Sequence, residues 1–303
     1  MFLLKDEKRL LDNFGLVDLV LEVLDARLPV TSRNPRLKKL LGAKNRVIVL
    51  NKTDLAEKEL TGCWLNYLAG EKWPVLDFNA NSRAEVKRME KMLETFRPQT
   101  GKFKRSFRMM AVGIPNVGKS TILNRLLQKY VARTGNTPGI TRGTQWIKLR
   151  SGWDLLDTPG LLSPFIRNEH SILSLGAIGS LSQGAYDPER AACWLVEQFL
   201  AREKTRQVLE KLYAINAANA ANAINAVNAV DAVNSVRFSE DDLKQQSAMA
   251  LLMEIGKMRG CFKKGAEVDI LKTSQILLSD FRRGVLGPIT LEMPPADSVP
   301  PNP

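Results

Sequence analysis

Residues 113–120 read Gly113-Ile114-Pro115-Asn116-Val117-Gly118-Lys119-Ser120. This octapeptide fits the pattern G-x-x-x-x-G-K-S/T, and its flanks supply the context the pattern needs. Before it, Met109-Met110-Ala111-Val112 is a short apolar run of strand type, and after it the pattern predicts a helix from Lys119 to about Tyr130. The glycines let the backbone curl round a phosphate, whose oxygens meet the N–H groups at the helix start. Lys119 is expected along the β- and γ-phosphates and the Ser120 hydroxyl on Mg²⁺, with Asn116, Val117, Gly118 and Thr121 completing the phosphate-binding surface.

A phosphate loop alone does not choose a base; Asn51-Lys52-Thr53-Asp54 does. It follows the apolar run 46–50, so it is expected at the carboxyl end of a strand, where open α/β sheets bind ligands. The Asp54 carboxylate can accept two parallel hydrogen bonds, from N1–H and the exocyclic amine of guanine. Adenine does not present that pair of donors and would leave the carboxylate unpaired. The expected ligand is therefore GTP or GDP. Asn79-Ala80-Asn81-Ser82 is a loose match to the second base-side motif, which makes Ala80 the candidate there.

A third turn, Asp157-Thr158-Pro159-Gly160, also follows a strand. Asp157 is expected to hold Mg²⁺ through water, and the Gly160 N–H to reach the γ-phosphate. The polar stretch from Thr134 to Gly143 is of switch type, with Thr141 the candidate to complete the Mg²⁺ shell. Lys119, Thr141 and Gly160 form the expected catalytic set. In an ordinary small GTPase the phosphate loop comes first and the Asn-Lys-x-Asp motif last. Here Asn51 precedes Gly113, which precedes Asp157, so a circular permutation is expected. The turn at 157–160 then leads directly into the C-terminal part of the chain, an arrangement by which hydrolysis would reorient that part.

Residues 16–24 and 46–50 read as buried strands, 83–96 as a helix, and 144–149 with 153–156 as two antiparallel strands. The fold class expected is α/β: a permuted P-loop GTPase domain with a mostly parallel sheet over 1–165, then a smaller all-helical domain over 166–292. Helices are predicted over 188–213, 240–259 and 268–282, and a disordered proline-rich tail over 293–303. Between Asn216 and Val236 the chain repeats an Asn-Ala-Ala or Asn-Ala-Val triplet. Each triplet rotates a helix by about 300°, so its apolar positions form no stripe. It reads as a low-complexity insertion without a function of its own.

The net charge of +12 and pI near 9.7 favour polyanionic partners, without distinguishing RNA from DNA or an anionic membrane. Basic runs occupy Arg33–Arg46, Arg97–Arg108 and the neighbourhood of Lys257, Arg259, Lys263 and Lys264, with Arg282 and Arg283 beyond. Such runs are more often solvated faces than contacts, but their number here favours phosphate binding. The three cysteines are widely spaced and the single histidine, His170, is isolated, so neither a disulfide framework nor a metal cage is expected. Apolar runs such as Val47–Leu50 are far too short to span a membrane, and Met1–Glu7 resembles neither a signal nor a good transit peptide.

The motif order, with Asp25-Ala26-Arg27-Leu28-Pro29 and Ser32-Arg33-Asn34-Pro35 ahead of it, resembles the circularly permuted ribosome-biogenesis GTPases of the YlqF/RbgA type. The resemblance runs from about residue 5 to residue 292, outside the triplet repeat, and includes Pro138-Gly-Ile-Thr141, Leu156–Gly160 and Ile255–Cys261. It implies GTP hydrolysis coupled to a late step of large ribosomal subunit assembly, through rRNA, by a protein monomeric off the ribosome. The compartment implied is bacterial cytoplasm, or an organelle, without stable membrane association. Leu161 stands where many GTPases place a water-orienting glutamine, a substitution the resemblance also implies. Asn116 matches an asparagine that, in related GTPases, helps hold K⁺ beside the phosphates; a loop-stabilising role is the alternative. The family usually opens with a Trp-Phe-Pro-Gly-His-Met segment, and the place of its histidine falls here on Phe2. No general base is therefore assigned. A scaffold that uses GTP only as a conformational ligand, or a GTPase acting on another RNA, remains the competing reading.

Overall fold

The computed structural model describes residues 11–97, 106–127, 145–148, 153–157, 165–213 and 240–295. Thr141, Gly160, Leu161, the stretch 134–143 and the triplets at 216–236, all singled out by the sequence, lie outside the described residues.

Strands β1 (Leu19–Asp25), β2 (Arg46–Asn51), β3 (Val75–Phe78), β4 (Phe107–Val112), β5 (Gln145–Lys148) and β6 (Trp153–Asp157) form one sheet in the order β3-β2-β1-β4-β6-β5. Every pairing is parallel except that of β5 with β6. β1 is buried at all seven positions, as a central parallel strand covered on both faces must be. Each of its leucines and valines contributes about 1.5–3 kcal/mol by leaving water. β3 is an addition to the expected strands: it is a short edge strand whose positions alternate between half-buried and buried.

Between the strands run α1 (Arg36–Leu41), α2 (Lys58–Ala69), α3 (Arg83–Glu94) and α4 (Lys119–Leu127). Ser82 caps α3 by accepting from the Glu85 N–H, while the Glu85 carboxylate reaches back to the Asn79 N–H. That pairing fixes the turn that holds Ala80 just beyond β3.

After β6 come α5 (Glu169–Ala177), α6 (Pro188–Leu200), α7 (Glu203–Leu212), α8 (Glu240–Met258) and α9 (Ile270–Arg283). α6 carries the inner face, with α5, α8 and α9 packed on it. The single helix expected over 188–213 is two. Arg202 is extended, and Thr205 Oγ1 donates to the Phe199 and Arg202 carbonyls, 2.7 and 2.9 Å away, satisfying the broken end. Within Ile255–Cys261, Gly256 is a packing residue. A Cβ there would stand 2.4 Å from Val268 Cγ1 and 2.6 Å from Thr273 Oγ1.

In place of one boundary near residue 165, the chain crosses between two compact units more than once. Gly179–Ser182 and the segment from Thr290 belong to the sheet unit; Asn168–Ile178 and Gln183–Ile289 form the helical one. The return at 290–292 has definite bonds. The Glu292 carboxylate accepts from the Val30 and Thr31 N–H groups, Trp64 Nε1 donates to the Glu292 carbonyl, and Thr290 Oγ1 accepts from the Glu57 N–H.

The basic run 33–46 is largely structural, against its expected reading as an RNA surface. Glu22, 1% exposed in β1, is gripped by Arg33 at 2.8 and 3.0 Å and by Arg46 at 3.2 Å. Arg33 also pairs with Glu71, and Lys44 donates to the Phe14 carbonyl. A buried carboxylate needs such partners, so these cations are committed inside the fold. Lys38 and Lys39 are the exposed pair of that run. Farther along, Arg282 donates to the Gly176 and Ala177 carbonyls and the Tyr186 hydroxyl, and Arg259 pairs with Asp280.

Candidate functional site

Because β1, β2, β3, β4 and β6 are parallel, their carboxyl ends share one edge of the sheet. On that edge stand Asp25, Asn51, Phe78, the turn after Val112, and Asp157. The nucleotide motifs, scattered in sequence, thereby converge. Register places Asp25 opposite Asn51 and Asn51 opposite Phe78, next to Ala80, which is buried. β4 and β6 pair from Phe107 with Trp153 to Met110 with Leu156, which sets the backbone of Asp157 beside the phosphate loop.

The loop is held open by its carbonyls. Lys119 Nζ donates to the Gly113 and Ile114 carbonyls at 2.8 and 2.6 Å, and Ser180 Oγ to the Pro115 carbonyl at 2.8 Å. Lys52 Nζ donates to the Asn116 carbonyl at 2.6 Å and Asn51 Nδ2 to the Val117 carbonyl at 2.7 Å. Five successive carbonyls are thus bound by side chains. In a trans peptide the N–H points opposite to its C=O. The N–H groups of Asn116, Val117 and Gly118 therefore turn to the other side, as a cradle for phosphate requires. Backbone torsions agree: Asn116 has φ +61° and Gly118 φ +97°. At Gly113 a Cβ would lie 2.4 Å from the Val23 carbonyl oxygen, so the loop begins against β1 where only glycine fits.

The expected pair Asn51 and Lys52 therefore clasp the loop. Asp54, in the 3-10 turn Thr53–Leu55, is exposed and available for a base. Lys52 has a further partner that no nucleotide motif names. Asp25 Oδ2 accepts from it at 2.9 Å and from Arg27 Nη2 at 2.9 Å, with Arg27 Nε on Oδ1 at 2.9 Å. Asp25 is fully buried. Burial alone would raise its pKa, but Arg27 and then Lys52 outweigh it and hold the carboxyl below the usual range. Desolvation lowers the pKa of Lys52, against the pull of Asp25. The spacing Asp25-Ala26-Arg27 is visible as part of the family resemblance, and its link to Lys52 only in three dimensions.

Ser120 and Thr121 open α4, half-buried, with Lys119 8% exposed. Ser120, at the start of α4, and Asp157, the last residue of β6, are of hard oxygen-donor type, and such residues are few here. That set suits Mg²⁺, which keeps waters and takes phosphate oxygens beside one or two carboxylates. Among the described residues no cluster of three His, Cys, Asp or Glu forms another metal site. Nor is any described helix long and apolar enough to cross a membrane.

Comparison with known proteins shows the family of the chain. The profile described as "50S ribosome-binding GTPase" matches residues 108–237, and that described as "RsgA GTPase" matches residues 38–166. Ribosome biogenesis GTPase A of Bacillus licheniformis is 32% identical, covering 96% of this chain and 95% of that protein. The protein of the same name from Bacillus cereus is 33% identical, covering 96% and 91%. The crystal structure of GNP-bound YlqF from T. maritima superposes with a TM-score of 0.63 at 24% identity, over 96% of this chain and 99% of that one, which is likeness of fold. With its motifs permuted, its loop clasped by Asn51 and Lys52, and relatives matched end to end, this chain belongs to the ribosome biogenesis GTPase A family.

Proposed function

We propose that this GTPase binds GTP and Mg²⁺ at the carboxyl edge of its sheet and couples hydrolysis to assembly of the large ribosomal subunit through contacts with rRNA. The observation that carries the reading is the row of five loop carbonyls held by side chains, which aims successive N–H groups at one point. Asp54 reads guanine, and Ala80 lies beside it. Asn51 and Lys52 fix the loop. Lys119 moves its charge from the Gly113 and Ile114 carbonyls onto the β- and γ-phosphates, with Gly118, Val117 and Thr121 alongside. Ser120, Asp157 and Thr141 hold the metal, which when bound neutralises charge building on the phosphates. The Gly160 N–H meets the γ-phosphate.

Hydrolysis joins a water oxygen to the γ-phosphorus and breaks the bond to the β–γ bridging oxygen, leaving GDP and phosphate. Positioning and electrostatics supply most of the acceleration in such transfers. Asn116 has a second place in the scheme. Its Nδ2 donates to the Gly179 carbonyl at 2.5 Å, so K⁺ would meet the side chain through Oδ1. The two Bacillus relatives support action in a bacterial cytoplasm, and a plant relative whose name says mitochondrial keeps the organelle as the alternative.

The test is GTP turnover with and without purified large ribosomal subunits, alongside co-sedimentation in GTP, GDP and a non-hydrolysable analogue. The reading expects subunits to accelerate turnover and binding to depend on the nucleotide. Equal turnover with and without subunits, and no co-sedimentation in any state, would end it.

A further inference from the structure

Four of the five loop carbonyls are bound by Lys119, Lys52 and Asn51, which belong to the nucleotide motifs themselves. The fifth is not. The Pro115 carbonyl accepts from Ser180 Oγ at 2.8 Å, across 65 residues of sequence, and Ser180 is 1% exposed. Its neighbour Gly179, at φ +77°, turns its own carbonyl to Asn116 Nδ2. Neither residue lies in any motif of the nucleotide site. Both belong to the sheet unit, although the helices on either side of them in sequence, α5 and α6, belong to the other.

The Pro115 carbonyl and the Asn116 N–H are two ends of one planar peptide. Holding the oxygen therefore aims the N–H. Proline itself has no N–H, so that of Asn116 is the first donor the loop offers after it. The Lys119 ammonium, which serves the β- and γ-phosphates, rests on the carbonyls of Gly113 and Ile114 just upstream. The Asn116 N–H thus lies on the terminal-phosphate half of the cradle, whereas the N–H groups at the start of α4 serve the inner phosphate.

We infer that Ser180 is a positioning residue for GTP hydrolysis: by fixing the Pro115 carbonyl it aims the Asn116 N–H at the β–γ bridging oxygen. When water adds to the γ-phosphorus, that oxygen takes the electron pair of the breaking bond and leaves with GDP. A preorganised donor aimed at it gains strength as its charge grows. Binding of intact GTP, in which that oxygen bridges two phosphorus atoms and carries little charge, gains little from it, whereas in GDP the same oxygen is terminal and charged.

The test compares Ser180→Ala with the unaltered chain in single-turnover GTP hydrolysis and in titration with a fluorescent, slowly hydrolysed GTP analogue that keeps the β–γ bridging oxygen. The expected result is a rate about tenfold lower with affinity for the triphosphate analogue changed less than twofold. The titration also shows whether the variant is folded. A rate within threefold of the unaltered protein would overturn the assignment, as would a loss of triphosphate-analogue affinity as large as the loss of rate, which marks a purely structural role. Lys119→Ala, expected to lose triphosphate binding altogether, serves as the contrasting case.

Discussion

The side-chain amide nitrogen of Asn51 stands 2.2 Å from the point where a Cβ on Gly118 would be. The base-side motif and the phosphate loop therefore exclude each other's alternatives: asparagine reaches the Val117 carbonyl only because residue 118 has no side chain. Gly118→Ala should displace Asn51 and strain a φ of +97° as well. The expected outcome is GDP affinity at least about tenfold lower, equivalent to ~1.4 kcal/mol, measured by fluorescent-nucleotide titration. Affinity equal to that of the parent would mean that the loop does not need Asn51.

Asp25 is the residue whose importance the motifs understate. Asp25→Asn keeps the shape but leaves the buried Arg27 and the buried end of Lys52 sharing a neutral amide. Removing one member of a buried charge cluster costs about 3–5 kcal/mol. Urea denaturation should show a loss of that order, with weaker GDP binding because Lys52 loses the carboxylate that holds it against the loop. A loss under about 1 kcal/mol would show that Arg27 and Lys52 find other partners.

Asp54→Asn tests the base contact alone, since Asp54 is exposed and outside the clasp. Loss of a charge-assisted bond should weaken GTP by about 1.5–3 kcal/mol. Xanthine carries an oxygen where guanine carries the exocyclic amine, and an asparagine amide can donate to it. The variant should therefore gain xanthosine nucleotide binding as it loses GTP. Competition titration with both nucleotides measures the exchange, and unchanged GTP affinity would remove Asp54 from the site.

Much of this is legible in the sequence because parallel, doubly covered strands are continuous apolar runs, and because turns such as 113–120 and 51–54 need particular residue types. What stays hidden depends on contacts distant along the chain. Val75–Phe78 is too short and too alternating to stand out beside Trp73-Pro74. The break at Arg202 carries no glycine or proline, and its stabilising Thr205 looks like any helical threonine. Arg33 and Arg46 look like surface cations until Glu22 is found between them, 11 and 24 residues away. Composition counts charges but cannot say which of them face inward.

Alkaline pH should weaken the helical unit. Burial, with help from the nearby Glu197 carboxylate, pushes the Cys193 thiol from 9.0 up to about 11. Burial and Asp280 push the Tyr213 hydroxyl from 10.0 up to about 12. Between those values the folded chain holds protons that the unfolded chain has released. The stability they contribute is present in full below about pH 9 and is lost as pH rises through 11 and 12. Denaturation followed by tryptophan fluorescence from about pH 8 to 11 should show the decline, with a shallower slope in Cys193→Ala. Identical slopes would exclude Cys193 as a contributor. At about pH 8 the half-exposed Cys63 should react with iodoacetamide well before Cys193 or Cys261.

The division of basic residues into inward and outward sets gives the surface prediction. Lys38, Lys39, Lys263 and Lys264 are exposed, whereas Arg33 and Arg46 are held by Glu22. Each phosphate contact contributes roughly 0.7–0.9 to the slope of log affinity against log salt concentration. If the outward lysines meet rRNA, replacing Lys263 and Lys264 together by alanine should flatten that slope by about 1–2 while leaving the melting temperature in place. The Lys38–Lys39 pair should behave alike. Arg33→Ala should do the reverse, lowering the melting temperature because Glu22 and Glu71 lose a shared partner, with the slope unchanged. Filter binding of a large-subunit rRNA fragment across salt concentrations, paired with thermal melts, separates the two classes. An Arg33 variant that flattened the slope as far as the lysine pairs would mean that its guanidinium leaves Glu22 for RNA, and that burial is no guide to which cations this protein lends to its partner.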